Sequence, residues 1–150
     1  MSGNTRVDLA QEKDYRFAAD FGNRLPLLHT DETPPAGQGS GPDPAQLLAA
    51  AIANCLSASL LFALRKFRQD AEPLRAQVEA TTGRNEAGRL RIQRIDVRLV
   101  LGKPASQLAH LDRILSQFED FCTVTESVKR GIPVHTTVLD SEGATIKEAD

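Results

Sequence analysis

The chain has 150 residues, 41% of them hydrophobic, which suits one globular domain over residues 1–150 that buries roughly 70% of the surface exposed by its unfolded form. A net charge of −2 with acids and bases interspersed excludes a basic face for nucleic acid and an acidic solvating arm. Two cysteines fall short of a four-ligand zinc site unless histidines join them, and His29, His110 and His135 share no ligand spacing with either, so no metal or other cofactor is expected.

The opening stretch MSGNTRVDLAQEKDYR lacks the apolar core of a signal peptide; the expectation is a cytoplasmic protein with a polar terminus over about residues 1–13. Tyr15, Phe17, Ala19 and Phe21 alternate with Arg16, Ala18 and Asp20 as in a half-buried strand, and residues 22–24 supply a turn to a hairpin partner at 25–28. Residues 31–44, DETPPAGQGSGPDP, contain four prolines and three glycines and read as a surface loop. Asp43 is a good N-cap, Pro44 sits at the tolerated first helical position and Gln46 completes a capping box, predicting a helix to about Gln69, some ~39 Å long. Residues 47–64 are apolar enough to suggest a membrane span, but Asn54, Ser57 and Ser59 interrupt them and alanine is as common as leucine. A helix buried on most sides reads the same way, and no membrane association is expected.

Leu74, Ala76, Val78 and Ala80 then alternate with polar residues, TGRNEAGR makes a turn, and residues 90–101 form a second strand. Leu90 and Ile92 share one parity and Ile95, Val97, Leu99 and Leu101 the other, which requires a β-bulge near Gln93 and Arg94. Pro104 opens a helix with the apolar stripe Leu108, Leu111, Ile114, Leu115, Phe118 and Phe121, ended by Cys122. TVTE reads as a capping box, Thr123 as N-cap and Glu126 three residues on, starting a short helix that ends at Gly131. A last strand runs from 132 to about 139, and residues 141–150 read as a polar tail. The order predicts an α+β fold, an antiparallel sheet packed on a long central helix.

Cys55 has Leu48, Ala51, Ile52, Ala58, Ser59 and Phe62 as helical neighbours, an apolar setting that fits either a core residue or half of a two-thiol site. Cys122 stands just before a helix start, where free amides favour a thiolate by up to about 1 kcal/mol. In a reducing compartment a transient catalytic disulfide is the more natural use of two cysteines than a structural staple.

GPDPAQLLAAAIANCLSASLLFALRK, followed late in the chain by FCTVTESVKRGIPV, resembles the OsmC/Ohr family of osmotically induced and organic hydroperoxide resistance proteins, over residues 14–139. The Gly-x-x-Pro entry at Gly41 and Pro44, the leucine-alanine run reaching Cys55, the second cysteine opening a short helix and the Gly-Ile-Pro-Val exit carry the likeness. It implies an intertwined homodimer and a thiol peroxidase. Cys55 would be the peroxidatic cysteine that reduces an organic hydroperoxide, and Cys122 the resolving cysteine that forms a disulfide with it. An external dithiol, in the hydroperoxide-resistance branch a lipoylated protein, would restore the pair. That branch carries an acid just after the helix-entry proline, paired with an activating arginine, whereas this chain has Ala45 and Gln46. The expected cation is then Arg24, ahead of Arg16, with Glu32 or Asp31 orienting the guanidinium. The second motif is CTV where better-known members have CPV or CPY. Helix-terminus electrostatics nominates Cys122 as the more acidic thiol and the family nominates Cys55 as the nucleophile; the family assignment is adopted. The alternative is a dimeric small-molecule-binding protein on the same fold with little peroxidase turnover.

Overall fold

The computed structural model describes residues 3–150. They form two compact units that divide between Leu47 and Leu48.

In the first unit β1 (Asp8–Lys13), β2 (Arg16–Asp20) and β3 (Leu28–Thr30) make an antiparallel sheet in that order. β2 is the expected alternating strand, with Ala19 buried. Its partner β3 begins later than residues 25–28, because Gly22, Asn23 and Arg24 all take positive φ and the chain spends more residues in turning. β1 corrects the expected polar terminus. All six of its side chains are exposed, so no alternation marks it, and its backbone groups are satisfied by pairing with β2.

The proline-rich loop is ordered around one buried carboxylate. Asp31, 5% exposed, accepts the N–H of Glu32 (2.8 Å), of Gln38 (3.2 Å) and of Ser40 (3.1 Å), and the Ser40 hydroxyl (2.8 Å). Those bonds, Ser40 foremost, hold its carboxyl below the usual range. At Gly41 a Cβ would lie 2.1 Å from the His29 carbonyl oxygen, so only glycine lets the helix entry pass this close to β3.

α1 (Pro44–Lys66) starts on the predicted capping box: Gln46 N–H donates to Asp43 Oδ1 (2.8 Å) and Asp43 N–H to Gln46 Oε1 (3.0 Å). It stops short of Gln69 because Arg68 turns left-handed, φ 57°, and Gln69 N–H bonds back to the Leu64 carbonyl at 2.9 Å. By length and composition α1 is apolar enough to cross a membrane, yet Ile52, Leu56, Leu60 and Leu64 are fully buried and form the core of the second unit with Ile95, Val97, Leu99, Ile114 and Phe118. Each such side chain contributes roughly 1.5–3 kcal/mol through burial.

That unit has a four-stranded sheet in the order β4 (Arg75–Arg84), β5 (Leu90–Val100), β6 (Val134–Leu139), β7 (Thr145–Ala149). β4 and β5 are antiparallel as expected and β6 and β7 are antiparallel too, but β5 and β6 run parallel, which corrects the expected antiparallel sheet. A parallel pair needs a long crossover, and α2 (Leu111–Gln117) and α3 (Thr123–Val128) lie in it. The bulge falls where parity requires: Thr81 faces Arg94 and Thr82 faces Ile92, leaving Gln93 as the extra residue. Gly83 makes room for it, since a Cβ there would come within 2.3 Å of the Gln93 side chain.

Two expectations need correction. The helix predicted from Pro104 is broken into a 3-10 turn at Ala105–Gln107, an extended Leu108, a left-handed His110, α2 and a second 3-10 turn at Phe118–Phe121. Gln69 Oε1 takes the Ala109 N–H (2.8 Å) and Asp140 Oδ2 the Ala105 N–H (2.9 Å), bonds from outside the segment that propensity does not reveal. The polar tail contains β7, which pairs with β6 and packs Ile146 against the core.

Candidate functional site

Cys55 lies midway along α1, partly exposed and packed against the core. Cys122 is fully buried in the link between the second 3-10 turn and α3. Both thiols are free, and the Cys55 side chain lies close enough to Cys122 to help raise its thiol above the ordinary value. The meeting that the sequence leaves open is therefore made within one unit, between a helix and a turn far apart along the chain.

Local backbone bonding sets Cys122. Its N–H donates to the Glu119 carbonyl (2.9 Å) and its own carbonyl accepts the Glu126 N–H (3.0 Å), so Cys122, not Thr123, is the N-cap residue. Its φ of −87° and ψ of 89° turn the chain out of the 3-10 segment before α3 begins. The thiol donates to Thr125 Oγ1 at 2.9 Å, and Thr125 too is fully buried. Burial pushes the Cys122 thiol above its ordinary value, the Cys55 side chain adds to the rise, and Thr125 opposes it. The acidity expected from a helix start is reversed, because desolvation outweighs the amides of a helix only six residues long. Thr125 was missed by sequence reasoning; its signal was the C-x-x-T spacing, one helical turn, inside a stretch that reads as an ordinary capping box.

The turn carrying Cys122 is braced from below. Glu119 accepts from Lys129 Nζ (3.3 Å) and lies 3.7 Å from Lys147 Nζ on β7. Lys147 also donates to the Leu115 carbonyl and stands 4.8 Å over the Phe118 ring.

The elements that bear the thiols also bear an exposed aromatic pair. Phe62 follows Cys55 by two helical turns on the same face of α1, and Phe121 directly precedes Cys122. Their rings meet edge to face at 5.5 Å, about half exposed, with Lys66 Nζ 5.7 Å from the Phe121 ring. A cleft of about 490 Å³, lined by Asn54, Ala58, Leu61, Pro73 and Leu74 among others, runs along the adjacent face of α1.

Arg24 sits exposed in the turn before β3, and Glu32 is half-buried in the proline-rich loop. Neither side chain has an ion-pair partner among the described residues. Arg16 has one: it donates to Glu12 Oε2 (2.8 Å) and to Ser40 Oγ (3.1 Å), and Ser40 is held by Asp31. Of the histidines, His29 pairs with Glu12 and His135 with Asp150 (2.6 Å), while His110 precedes α2.

The sequence profile of the family described as OsmC-like protein matches residues 37–137. No curated protein matches the chain. Among solved structures, an OsmC-like protein of unknown function from Vibrio cholerae superposes with a TM-score of 0.76 at 16% identity, over 92% of this chain and 100% of that one. An organic hydroperoxide resistance protein from Elizabethkingia anophelis gives 0.73 at 12% identity, over 94% and 100%. The organic hydroperoxide resistance protein of Bacillus subtilis gives 0.69 at 15%, over 91% and 98%. At these identities the structural likeness is one of fold.

Proposed function

We propose that this chain, which belongs to the OsmC-like family, is a cysteine-based peroxidase that reduces organic hydroperoxides. The observation that carries the reading is the pair of adjacent free thiols of unequal exposure. Cys55, the partly exposed one, is the peroxidatic cysteine. Its thiolate attacks the terminal peroxide oxygen, the O–O bond breaks, the alkoxide leaves as the alcohol after taking a proton, and Cys55 becomes a sulfenic acid. Cys122 then attacks the Cys55 sulfur; the S–O bond breaks, water leaves and a disulfide remains. An external dithiol, a lipoylated protein by the family likeness, reduces it by exchange. The exposed Phe62–Phe121 pair favours a substrate with an organic tail over hydrogen peroxide.

The activating cation is assigned to an arginine of the first 47 residues, from this copy or a second one: Arg24 with Glu32 by the sequence likeness, and Arg16 as its rival because Glu12 and Ser40 already orient it. Both units are read as one domain, since the family match spans their boundary, and two copies as a cytoplasmic homodimer.

Stopped-flow mixing of the reduced protein with cumene hydroperoxide or hydrogen peroxide tests this reading. Wild type should consume cumene hydroperoxide faster and accumulate a Cys55–Cys122 disulfide. Cys55→Ser should be inert, and Cys122→Ser should stop at the sulfenic acid. Arg24→Ala and Arg16→Ala compare the two cations, whichever slows sulfenic acid formation being the one that acts. A wild type that consumes no hydroperoxide defeats the peroxidase reading.

One observation favours the second reading, a small-molecule-binding protein of the same fold. Ala45 offers no carboxylate, and the Gln46 amide is already committed to the capping box. That protein would bind apolar ligands without oxidation of either thiol.

A further inference from the structure

Burial favours the neutral form of Cys122 in the reduced protein. Its sulfur is fully buried, and the attacking form in the resolving step is a thiolate, which burial disfavours. The nearest polar side chain to that sulfur is the Thr125 hydroxyl, 2.9 Å away and itself without exposure, with the Thr125 amide and the Cys55 thiol also close enough to act on it.

A hydroxyl carries one hydrogen and two acceptor lone pairs, and a thiol is a weak donor and a weak acceptor. With Cys122 neutral, its S–H points at Thr125 Oγ1, and the Thr125 hydrogen has no other acceptor among the described residues. With Cys122 ionised, the same contact reverses: Thr125 donates to a full negative charge, the stronger kind of hydrogen bond. In hydrogen bonds alone the pair is better satisfied after the proton leaves than before, which opposes the cost of burying the charge.

Resting on the peroxidase reading above, we propose that Thr125 is the positioning residue of the resolving step, its buried hydroxyl holding the Cys122 sulfur and donating to it as the thiolate that attacks oxidised Cys55. The step balances without an added reagent. The Cys122 sulfur bonds to the Cys55 sulfur, the Cys55 S–O bond breaks, and the departing hydroxide recovers the proton released by Cys122 as water.

The first measurement needs no peroxide. In Cys55→Ser protein, ultraviolet thiolate absorbance gives the titration of Cys122 alone; adding Thr125→Val should raise its midpoint by about 1 pH unit, and Thr125→Ser should restore it. Thr125→Ala, which removes the hydroxyl with a smaller side chain, gives the same comparison if valine is not accommodated. In the chain with both cysteines, Thr125→Val should leave sulfenic acid formation unchanged and slow disulfide formation about tenfold at neutral pH, the deficit shrinking as pH rises. An unmoved midpoint, or disulfide formation at the wild-type rate and pH profile, overturns the role of Thr125 while leaving the peroxidase intact. A protein that forms no sulfenic acid at Cys55 removes the step itself, and that failure belongs to the parent reading.

Discussion

Asp31 and Asp140 are single carboxylates around which whole loops are arranged. Asp140, 4% exposed, accepts the N–H groups of Ala105 (2.9 Å), Glu142 (2.9 Å) and Ala144 (3.0 Å), and these bonds hold its carboxyl below the usual range as Ser40 and its neighbours do for Asp31. A depressed folded pKa stabilises the fold above the unfolded value of about 3.9 and ceases to do so as pH falls through the folded value. Urea midpoints should therefore drop on acidification below about pH 4. Asp140→Asn should be less stable at neutral pH and lose less on acidification, because its amide sets donors against donors; an acid response equal to wild type would refute this. Both cysteines were legible as residues, and so was the capping pair Asp43 and Gln46. The acidity of Cys122 was not, since burial is decided by elements distant in sequence.

At the scale of elements, period-2 alternation and parity placed β2, β4, β5 and the bulge at Gln93, because each leaves a mark in which side chains are apolar. β1 and β7 left little mark: the first is exposed throughout, and the second is anchored by Ile146 and by the stem and charge of Lys147. Lys147 does more than hold its own strand, since its ammonium faces Glu119 and the Leu115 carbonyl under the turn that leads to Cys122. Lys147→Met keeps the stem over Phe118 but leaves Glu119 with Lys129 and Glu119 Oε1 without its nearest cation. A loss of about 1–2 kcal/mol in urea denaturation is expected. Lys147→Arg should recover part of it, and a methionine variant as stable as wild type would show the contact to be idle.

For the whole molecule, α1 is two-sided. Ile52, Leu56 and Leu60 are buried in the core, whereas Ala50, Ala51 and Ala58 are exposed although apolar, with Asn54 the polar residue among them. Small residues on an open apolar face allow another helix to approach closely, which is the physical argument for the proposed homodimer; a stable one would cover upwards of about 1,000 Å². Sedimentation should give two copies per particle for wild type and one for Ala58→Arg with its helical content retained; a monomeric wild type would end the dimer proposal. The fold class was legible from the run of elements. The parallel pairing of β5 with β6 was not, because alternation reports which face of a strand is buried and is silent on the direction of its neighbour.

That parallel pair sets a timetable. The β4–β5 hairpin closes over a five-residue turn, whereas Cys122 rides in the crossover that must fold over before β6 can find β5, and contacts so distant in sequence form slowly. A nascent chain thus carries two unconnected thiols, one on a helix made early and one on a segment still at large. The proposed redox pair is assembled only once the crossover has closed, so any reactivity it has is a property of the finished fold and of no shorter piece of it.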